Sequence, residues 1–305
     1  MSRVFVTRIL PGRALQRLQD AGHEVDVWPN PGPPPAEMLR ERCRDADALL
    51  CMLTDRVDGA LLSAAPSLKA IANYAVGYDN IDVAACRARG IAVSTTPDVL
   101  TDATADLTMA LLLASARQLF PAAQSVHDGE WLTWQPRRFL GMELSGRQIA
   151  VVGGHGRIGQ AVARRAAAFG MDVRLVGRDD DLHMALRVAD VVSLHAPLTD
   201  ETRHMIDADA LSVMQPHAIL VNTARGGLID QTALRAALRD SRLGAAALDV
   251  TDPEPLVPGD PLFDAPNLIV LPHIGSATVR ARERMADLSV DNLLTALTDA
   301  SYTVF

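Results

Sequence analysis

The stretch Ile149–Gly159, IAVVGGHGRIG, constrains the fold more than any other part of the chain. Ile149 to Val152 are consecutive apolar residues, the pattern of a strand buried on both faces. Arg157 to Gly170 has the character of a helix, and between the two lies Gly154-His155-Gly156-Arg157-Ile158-Gly159. A G-x-G-x-x-G that follows a strand and opens a helix is a dinucleotide-binding turn, and each glycine has its own reason. Gly154 is expected to make the tight turn, Gly156 to let a pyrophosphate approach the backbone, and Gly159 to let helix pack on strand. Phosphates then sit on the helix N-terminus, where free N–H groups and the macrodipole favour anions. The alternative is an ordinary strand-to-helix turn.

The rest of the chain supports the first reading. Short apolar strands are expected at Val4–Val6, Val25–Trp28, Ala48–Leu53, Leu68–Tyr74 and Ile91–Val93, with helices over 11–21 and 36–44. Strands alternating with helices mean a parallel sheet covered on both faces, so a first α/β unit ends near Pro97, before the glycine turn. Leu107–Leu113 is apolar nearly all round, which predicts a buried helix, either a plain core helix or one between two domains. After the glycine turn, strands follow at 173–176, 191–194, 219–221, 245–248 and 268–270, with a helix over 231–239. A long amphipathic helix from Ala277 to about Ala296 is expected to return to the first domain. The architecture is α/β, with two doubly wound parallel-sheet domains and a cleft between them.

Charge and composition exclude several classes. A chain of 305 residues suits two domains, and 49% hydrophobic residues can fill sizeable cores. A formal charge of −8 argues against a nucleic acid or an anionic membrane as partner. The longest apolar run, Leu107–Ala116, is too short to cross a bilayer, and MSRVFVTRIL carries no signal-peptide core. Cys43, Cys51 and Cys86 have neither metal nor disulfide spacing, so no metal is expected and a reducing cytoplasm is.

Seven ordered motifs then point to a family. They are NYAVGYDNID from Asn73, TPDVLTDATAD from Thr96, GHGRIGQ from Gly154, HAPLTDETRHMI from His195, VNTARGG from Val221, LDVTDPEPL from Leu248 and LPHIGSAT from Leu271. Together the chain resembles the D-2-hydroxyacid dehydrogenases, in particular their glyoxylate/hydroxypyruvate reductase branch, over nearly its whole length. The resemblance implies a flavodoxin-like substrate-binding domain over 1–97 and 278–305, and a Rossmann nucleotide domain over 98–277. It implies cofactor contacts at Thr104, His195, Ala196, Pro197, Thr202, Thr223, Ala224, Asp249 and Gly275, besides the residues of the glycine turn. His195 is expected to act as scaffolding along the cofactor, and Asp249 to accept from the nicotinamide carboxamide. By the same resemblance Val76 and Gly77 offer backbone N–H groups to a substrate carboxylate, and Leu53 walls the pocket. Trp131 and Trp134, in a loop over 127–140, resemble the arm by which this branch forms homodimers.

The chemistry of 2-oxo acid reduction needs a cation for carboxylate and ketone, a proton donor for the developing alkoxide, and a hydride beside the carbon. Arg225 lies just past a strand, its fork suits a carboxylate, and it stays charged at any working pH. His273 follows an apolar strand, and Glu254 stands between Pro253 and Pro255. Taken singly, each has a structural alternative: a satisfied histidine, a solvated turn, an Arg-Gly-Gly turn. The resemblance maps the family's catalytic Arg, Glu and His onto these three.

Cofactor choice is read at the end of the second strand, where NAD enzymes carry an acid for the ribose 2′-hydroxyl. Here the strand ends Val176-Gly177-Arg178, with no acid and an arginine next, which predicts NADPH as preferred and NADH as possible. Asp179, Asp180 and Asp181 are either a solvated loop or a displaced acceptor. From Arg178 to Asp190 the chain is also too short for another helix and strand of a typical βαβ unit, so the third Rossmann strand is expected to be missing or reduced. The leading expectation is an NADP-dependent reductase of glyoxylate or hydroxypyruvate. The alternative is a dehydrogenase-like corepressor or redox-sensing binding protein.

Overall fold

The structure, a computed structural model, describes residues 1–299 and divides into two compact units: Met1–Leu100 with the chain from Ala277 onward, and Thr101–Ser276. In the first unit the strands are β1 (Arg3–Val6), β2 (Glu24–Val27), β3 (Ala48–Cys51), β4 (Ala70–Asn73) and β5 (Ala92–Ser94). They pair in parallel in the order β2-β1-β3-β4-β5, which is the flavodoxin-like order. Helices α1 (Ala14–Asp20), α2 (Ala36–Cys43), α3 (Gly59–Ala64) and α4 (Val83–Ala88) make the crossovers. Asp58 and Asp82 start the last two by accepting backbone N–H groups of Leu61 and Ala85 at 3.0 and 2.9 Å. The core joins Phe5, Leu49, Leu61, Leu62 and Ile71 to all three cysteines, whose burial pushes the Cys43 thiol up to about 12 and Cys86 to about 11. None is in a disulfide.

The second unit opens with α5 (Thr101–Ala116) and α6 (Leu119–His127). Alternation then follows: β6 (Gln148–Val152), α7 (Arg157–Ala168), β7 (Asp172–Val176), α8 (Leu182–Val188), β8 (Val191–Leu194), α9 (Ala208–Val213), β9 (Ile219–Asn222), α10 (Gln231–Arg239), β10 (Ala245–Leu248) and β11 (Leu268–Val270). The six strands are parallel in the order β11-β10-β9-β8-β6-β7. This is a Rossmann order that stops at its second strand: β7 is the sheet edge, and no strand among the described residues lies beyond it. The short segment after Arg178 holds a helix, α8, capped by Asp181, and lacks the strand. The last element of the described residues is α11 (Val279–Thr298), which belongs to the first unit and packs on its β4.

Apolar residues on all sides of α5 are explained by its neighbours, since it lies against α7, β9 and β10 and buries Met109, Leu111 and Leu112. Arg165 of α7 bonds Asp106 at 2.7 Å and Asp102 at 3.1 Å, fixing the register of the two helices. Every residue of β8, β9 and β10 is buried, so their carboxyl ends are held by a core in which one Leu→Ala change costs about 2–5 kcal/mol. No helix among the described residues is long and apolar enough to cross a membrane.

Candidate active site

β9, β10 and β11 are neighbours, and the loops after their carboxyl ends carry Arg225, Glu254 and His273. At the end of β9 the buried Asn222 shapes the turn: its amide accepts from Ala224 N at 3.0 Å and donates to Arg225 O at 2.8 Å. Gly226 follows because the Thr251 backbone fills the space a Cβ would take. The loop after β10 is held by Gln231, the first residue of α10, whose amide accepts from Asp252 N at 3.0 Å and donates to Asp252 O. Arg203 adds an ion pair to Asp252 at 3.2 Å.

The loop after β11 is built on Asp249, which is buried. One carboxylate oxygen accepts from Ile274 N and the other from Gly275 N, both at 2.7 Å, while its carbonyl takes His273 N at 2.9 Å. Burial pushes the Asp249 carboxyl up, against the pull of these donors and of His273. These bonds hold His273 at φ 55°, a left-handed backbone that a non-glycine residue rarely takes. The result is a 2.5 Å contact between His273 Nδ1 and Glu254 Oε1. Among the described residues His273 Nε2 has no partner, so the imidazole presents a free ring nitrogen.

The glycine turn differs in one detail from expectation. Gly153 takes the positive φ, 75°, and so makes the tight turn assigned to Gly154. Gly154 is needed for packing: a Cβ there would stand 2.6 Å from Val151 O and 2.9 Å from Leu175. Gly156 is the N-cap of α7 and brings no side chain to that end of the helix, where the macrodipole favours an anion. Gly159 packs helix on strand, since a Cβ there would lie 2.6 Å from Gly153 O. His155, Gly156 and Arg157 are exposed and Ile158 half-buried. The cradle fits a dinucleotide phosphate.

At the end of β7, Gly177 N donates to Asp180 Oδ2 at 2.7 Å, and a Cβ at Gly177 would meet the His155 ring at 3.0 Å. Arg178 is exposed, with its guanidinium 3.9 Å from Glu201. Beyond β8, His195 bonds Ser193 Oγ at 2.8 Å, and burial lowers its pKa to about 4. Thr202 spends its hydroxyl on Pro197 O at 2.7 Å, which shapes the turn after Ala196. Thr223 is tied to α5 through Thr108 Oγ1 at 2.9 Å, beside the half-buried Ala224. Gly275 is flanked by Asp249 and Thr104, since a Cβ on it would lie 3.1 Å from Asp249 Oδ2 and 3.4 Å from Thr104. The second unit thus brings Thr104, Asp249 and Gly275 together with His273.

In the first unit, Leu53 follows β3 and Val76–Gly77 follow β4, all three half-buried at neighbouring strand ends. A cavity of about 660 Å³ in the second unit lies at the amino ends of β9–β11, lined by Phe120, Leu140, Met142 and Leu268, and contains none of the expected site residues. Among the described residues no cluster of His, Cys, Asp and Glu could hold a metal. Residues missed from sequence are Gly153, Asn222 and Gln231. Gly153 was signalled by the doubled glycine, while the other two declare themselves only through contacts across loops.

Comparison with known proteins gives consistent results. Residues 109–275 match the family described as D-isomer specific 2-hydroxyacid dehydrogenase, NAD binding domain. A glyoxylate reductase of Thermococcus litoralis is 45% identical, over 96% of this chain and 92% of the relative. A protein of known crystal structure from Thermus thermophilus is 48% identical with a TM-score of 0.93, covering 99% of this chain and 100% of the other. An NADPH-dependent glyoxylate/hydroxypyruvate reductase from Sinorhizobium meliloti, solved with NADP and malonate, is 34% identical with a TM-score of 0.83, covering 97% of this chain and 94% of the other.

Proposed function

The chain belongs to the D-isomer specific 2-hydroxyacid dehydrogenase family, and from that premise we propose how Arg225, Glu254 and His273 reduce a small 2-oxo acid, glyoxylate or hydroxypyruvate, to the D-2-hydroxy acid. The observation that carries the proposal is the Glu254–His273 contact at 2.5 Å, with Nε2 of the same ring open. Glu254 accepts the Nδ1–H, which fixes the orientation of the ring and leaves Nε2 for the substrate. His273 then gives the Nε2 proton to the carbonyl oxygen as it becomes an alkoxide. Arg225 binds the carboxylate and ketone, and its charge stabilises the alkoxide more than the ground state. Val76 and Gly77 hold the carboxylate by their N–H groups, and Leu53 limits the size of the acid.

The glycine cradle with Arg157 and Ile158, and the Thr104–Asp249–Gly275 group, fit a nicotinamide dinucleotide, which supplies the hydride when bound. His195, Ala196, Pro197, Thr223 and Ala224 line its path, with Thr202 supporting the turn. For the adenosine end we propose NADPH over NADH by roughly ten- to a hundredfold in kcat/KM, about 1.4 to 2.8 kcal/mol. Gly177 removes a charge that would repel a 2′-phosphate, and Arg178 supplies a fork for one. Asp181 is spent as a helix cap, but Asp180 stands at the strand end and moderates the preference. Arg178→Ala should erase most of the margin and Asp180→Ala should widen it. A wild type that prefers NADH overturns this reading and makes Asp180 the ribose acceptor.

Absorbance at 340 nm with glyoxylate, hydroxypyruvate, pyruvate and a bulkier 2-oxo acid tests the whole proposal. Turnover with the first two is expected; none with any of the four would favour a redox-sensing binding protein. The three buried, unbridged thiols support a reducing, cytoplasmic setting, and the exposed apolar side chains of the 119–140 segment support a homodimer.

A further inference from the structure

Asn73, the last residue of β4, is fully buried, an uncommon place for an amide unless it does a specific job. Its Nδ2 donates to Gly77 O at 2.8 Å and to Asn80 Oδ1 at 3.1 Å, and its Oδ1 accepts from Asn80 Nδ2 at 3.4 Å. The two amides therefore form a reciprocal pair. Asn80 Nδ2 also reaches Met52 O at 3.1 Å and Asp55 O at 3.0 Å, in the loop after β3. That loop is closed by the buried Asp55 carboxylate, which accepts from Met52 N at 2.8 Å and from Thr7 Oγ1. Leu53 lies inside the loop so clamped. With the Gly77 carbonyl tied inward, the Val76 and Gly77 N–H groups donate to no described residue.

We propose that the Asn73–Asn80 amide pair is a positioning couple that sets the Val76–Gly77 N–H groups against Leu53, and so fixes both the affinity for a substrate carboxylate and the length of acid accepted. The inference rests on the reading of Val76–Gly77 as the carboxylate loop. Neither amide touches substrate; each acts through the loops it joins. Asn73→Asp keeps the shape but turns the donor facing Gly77 O into an anionic oxygen, so the loop must swing away. Because Arg225 and His273 are unchanged, the loss falls on binding rather than on the chemical step.

The test measures Asn73→Asp and Asn80→Ser beside the wild type, with KM for glyoxylate, kcat, Ki for oxamate, and cofactor Kd from nicotinamide fluorescence. Asn73→Asp should raise KM and Ki together by about ten- to a hundredfold, with kcat within about threefold and cofactor Kd unchanged. Asn80→Ser, which leaves the Asn73–Gly77 bond in place, should show a smaller rise in both and narrow the ratio of rates between short and bulky 2-oxo acids. Unchanged Ki in a folded Asn73→Asp protein overturns the proposal, as does a loss shared equally by kcat and cofactor binding. If Asn73→Asp fails to fold, unchanged KM, Ki and substrate ratio in Asn80→Ser overturn it instead. A wild type with no turnover and no oxamate binding removes the carboxylate-loop reading itself, a different outcome from turnover with an unmoved Ki.

Discussion

His273 holds a backbone conformation that few histidines adopt, and the Asp249 carboxylate maintains it by bonding the two N–H groups that follow. The sequence reading placed Asp249 against the cofactor; the fold shows a second duty, since without it the imidazole would have no fixed direction toward Glu254. His273→Ala should lower the reductive kcat by about 10² to 10⁴, the range for loss of a positioned general acid. Glu254→Gln keeps the shape of the partner but removes its charge, so the reductive kcat should fall while cofactor Kd holds; an unchanged kcat defeats the pairing. At Arg225, Ala should damage kcat and KM together and Lys should rescue only part, because a point charge lacks the fork. His195 supplies a prediction about stability. Its imidazole stays neutral down to about pH 4 in the folded protein, whereas an unfolded histidine takes its proton near pH 6.5. Between those values the unfolded state binds more protons, so its contribution is full above pH 6.5 and is lost as pH falls toward 4. The urea midpoint should fall across that window, and His195→Gln should flatten the fall; an equal fall in the variant would refute the assignment. The positions of Arg225, Glu254 and His273 after β9, β10 and β11 are legible because each follows an apolar run, whereas their joint role is implied by the resemblance alone. Asn222 and Gln231 are not, because an amide's worth depends on which loop folds back upon it.

Elements were legible to the degree that they are buried. The inner strands show in the sequence as apolar runs, since parallel strands covered on both faces tolerate little else, while the edge strands β2 (EVDV) and β7 (DVRLV) alternate with charged residues. The short helices α3, α4, α8 and α9 are harder to see: each has six or seven residues, too few for a helical period to emerge. Their shared signal is the capping aspartate, at 58, 82, 181 and 207. The β6–α7 element makes the separate roles expected of Gly156 and Gly159 testable. A methyl group on Gly159 would press on Gly153 O at 2.6 Å and Gly154 Cα at 2.8 Å, all backbone, so α7 must lift from β6. At Gly156 the nearest atom is Gly153 O at 3.3 Å, which leaves the space in front open for the pyrophosphate of the proposed cofactor. Gly159→Ala should therefore cost about 1–3 kcal/mol of stability, and affinity with it. Gly156→Ala should weaken cofactor binding with little change in the unfolding midpoint. Equal effects at the two sites would show that the cradle is not built this way.

At the scale of the whole molecule, two parallel sheets account for the length and apolar content of the chain, yet the segment over 119–140 leaves apolar surface uncovered. Trp131 is 70% exposed, Leu132 86% and Trp134 81%, and Phe120 and Leu140 border the cavity of about 660 Å³ at the amino ends of β9–β11. Large apolar side chains left exposed in this number suit an interaction site. A two-fold dimer suits it because an isologous contact uses the same patch twice: a projecting arm and an apolar hollow on one copy meet the hollow and arm of the other. The wild type is therefore expected to sediment as a dimer at assay concentration. Leu132→Asp buries a carboxylate in that contact if the dimer forms, so the variant should shift to monomer by at least tenfold in the dissociation constant, the equivalent of about 1.4 kcal/mol. Trp134→Ser should act in the same direction through lost apolar area. Because the two substitutions lie on an exposed arm, the urea midpoint of the isolated subunit should hardly move, which separates lost assembly from lost folding. A wild type that sediments as a fully active monomer would leave the tryptophan arm without a partner copy and overturn the dimer.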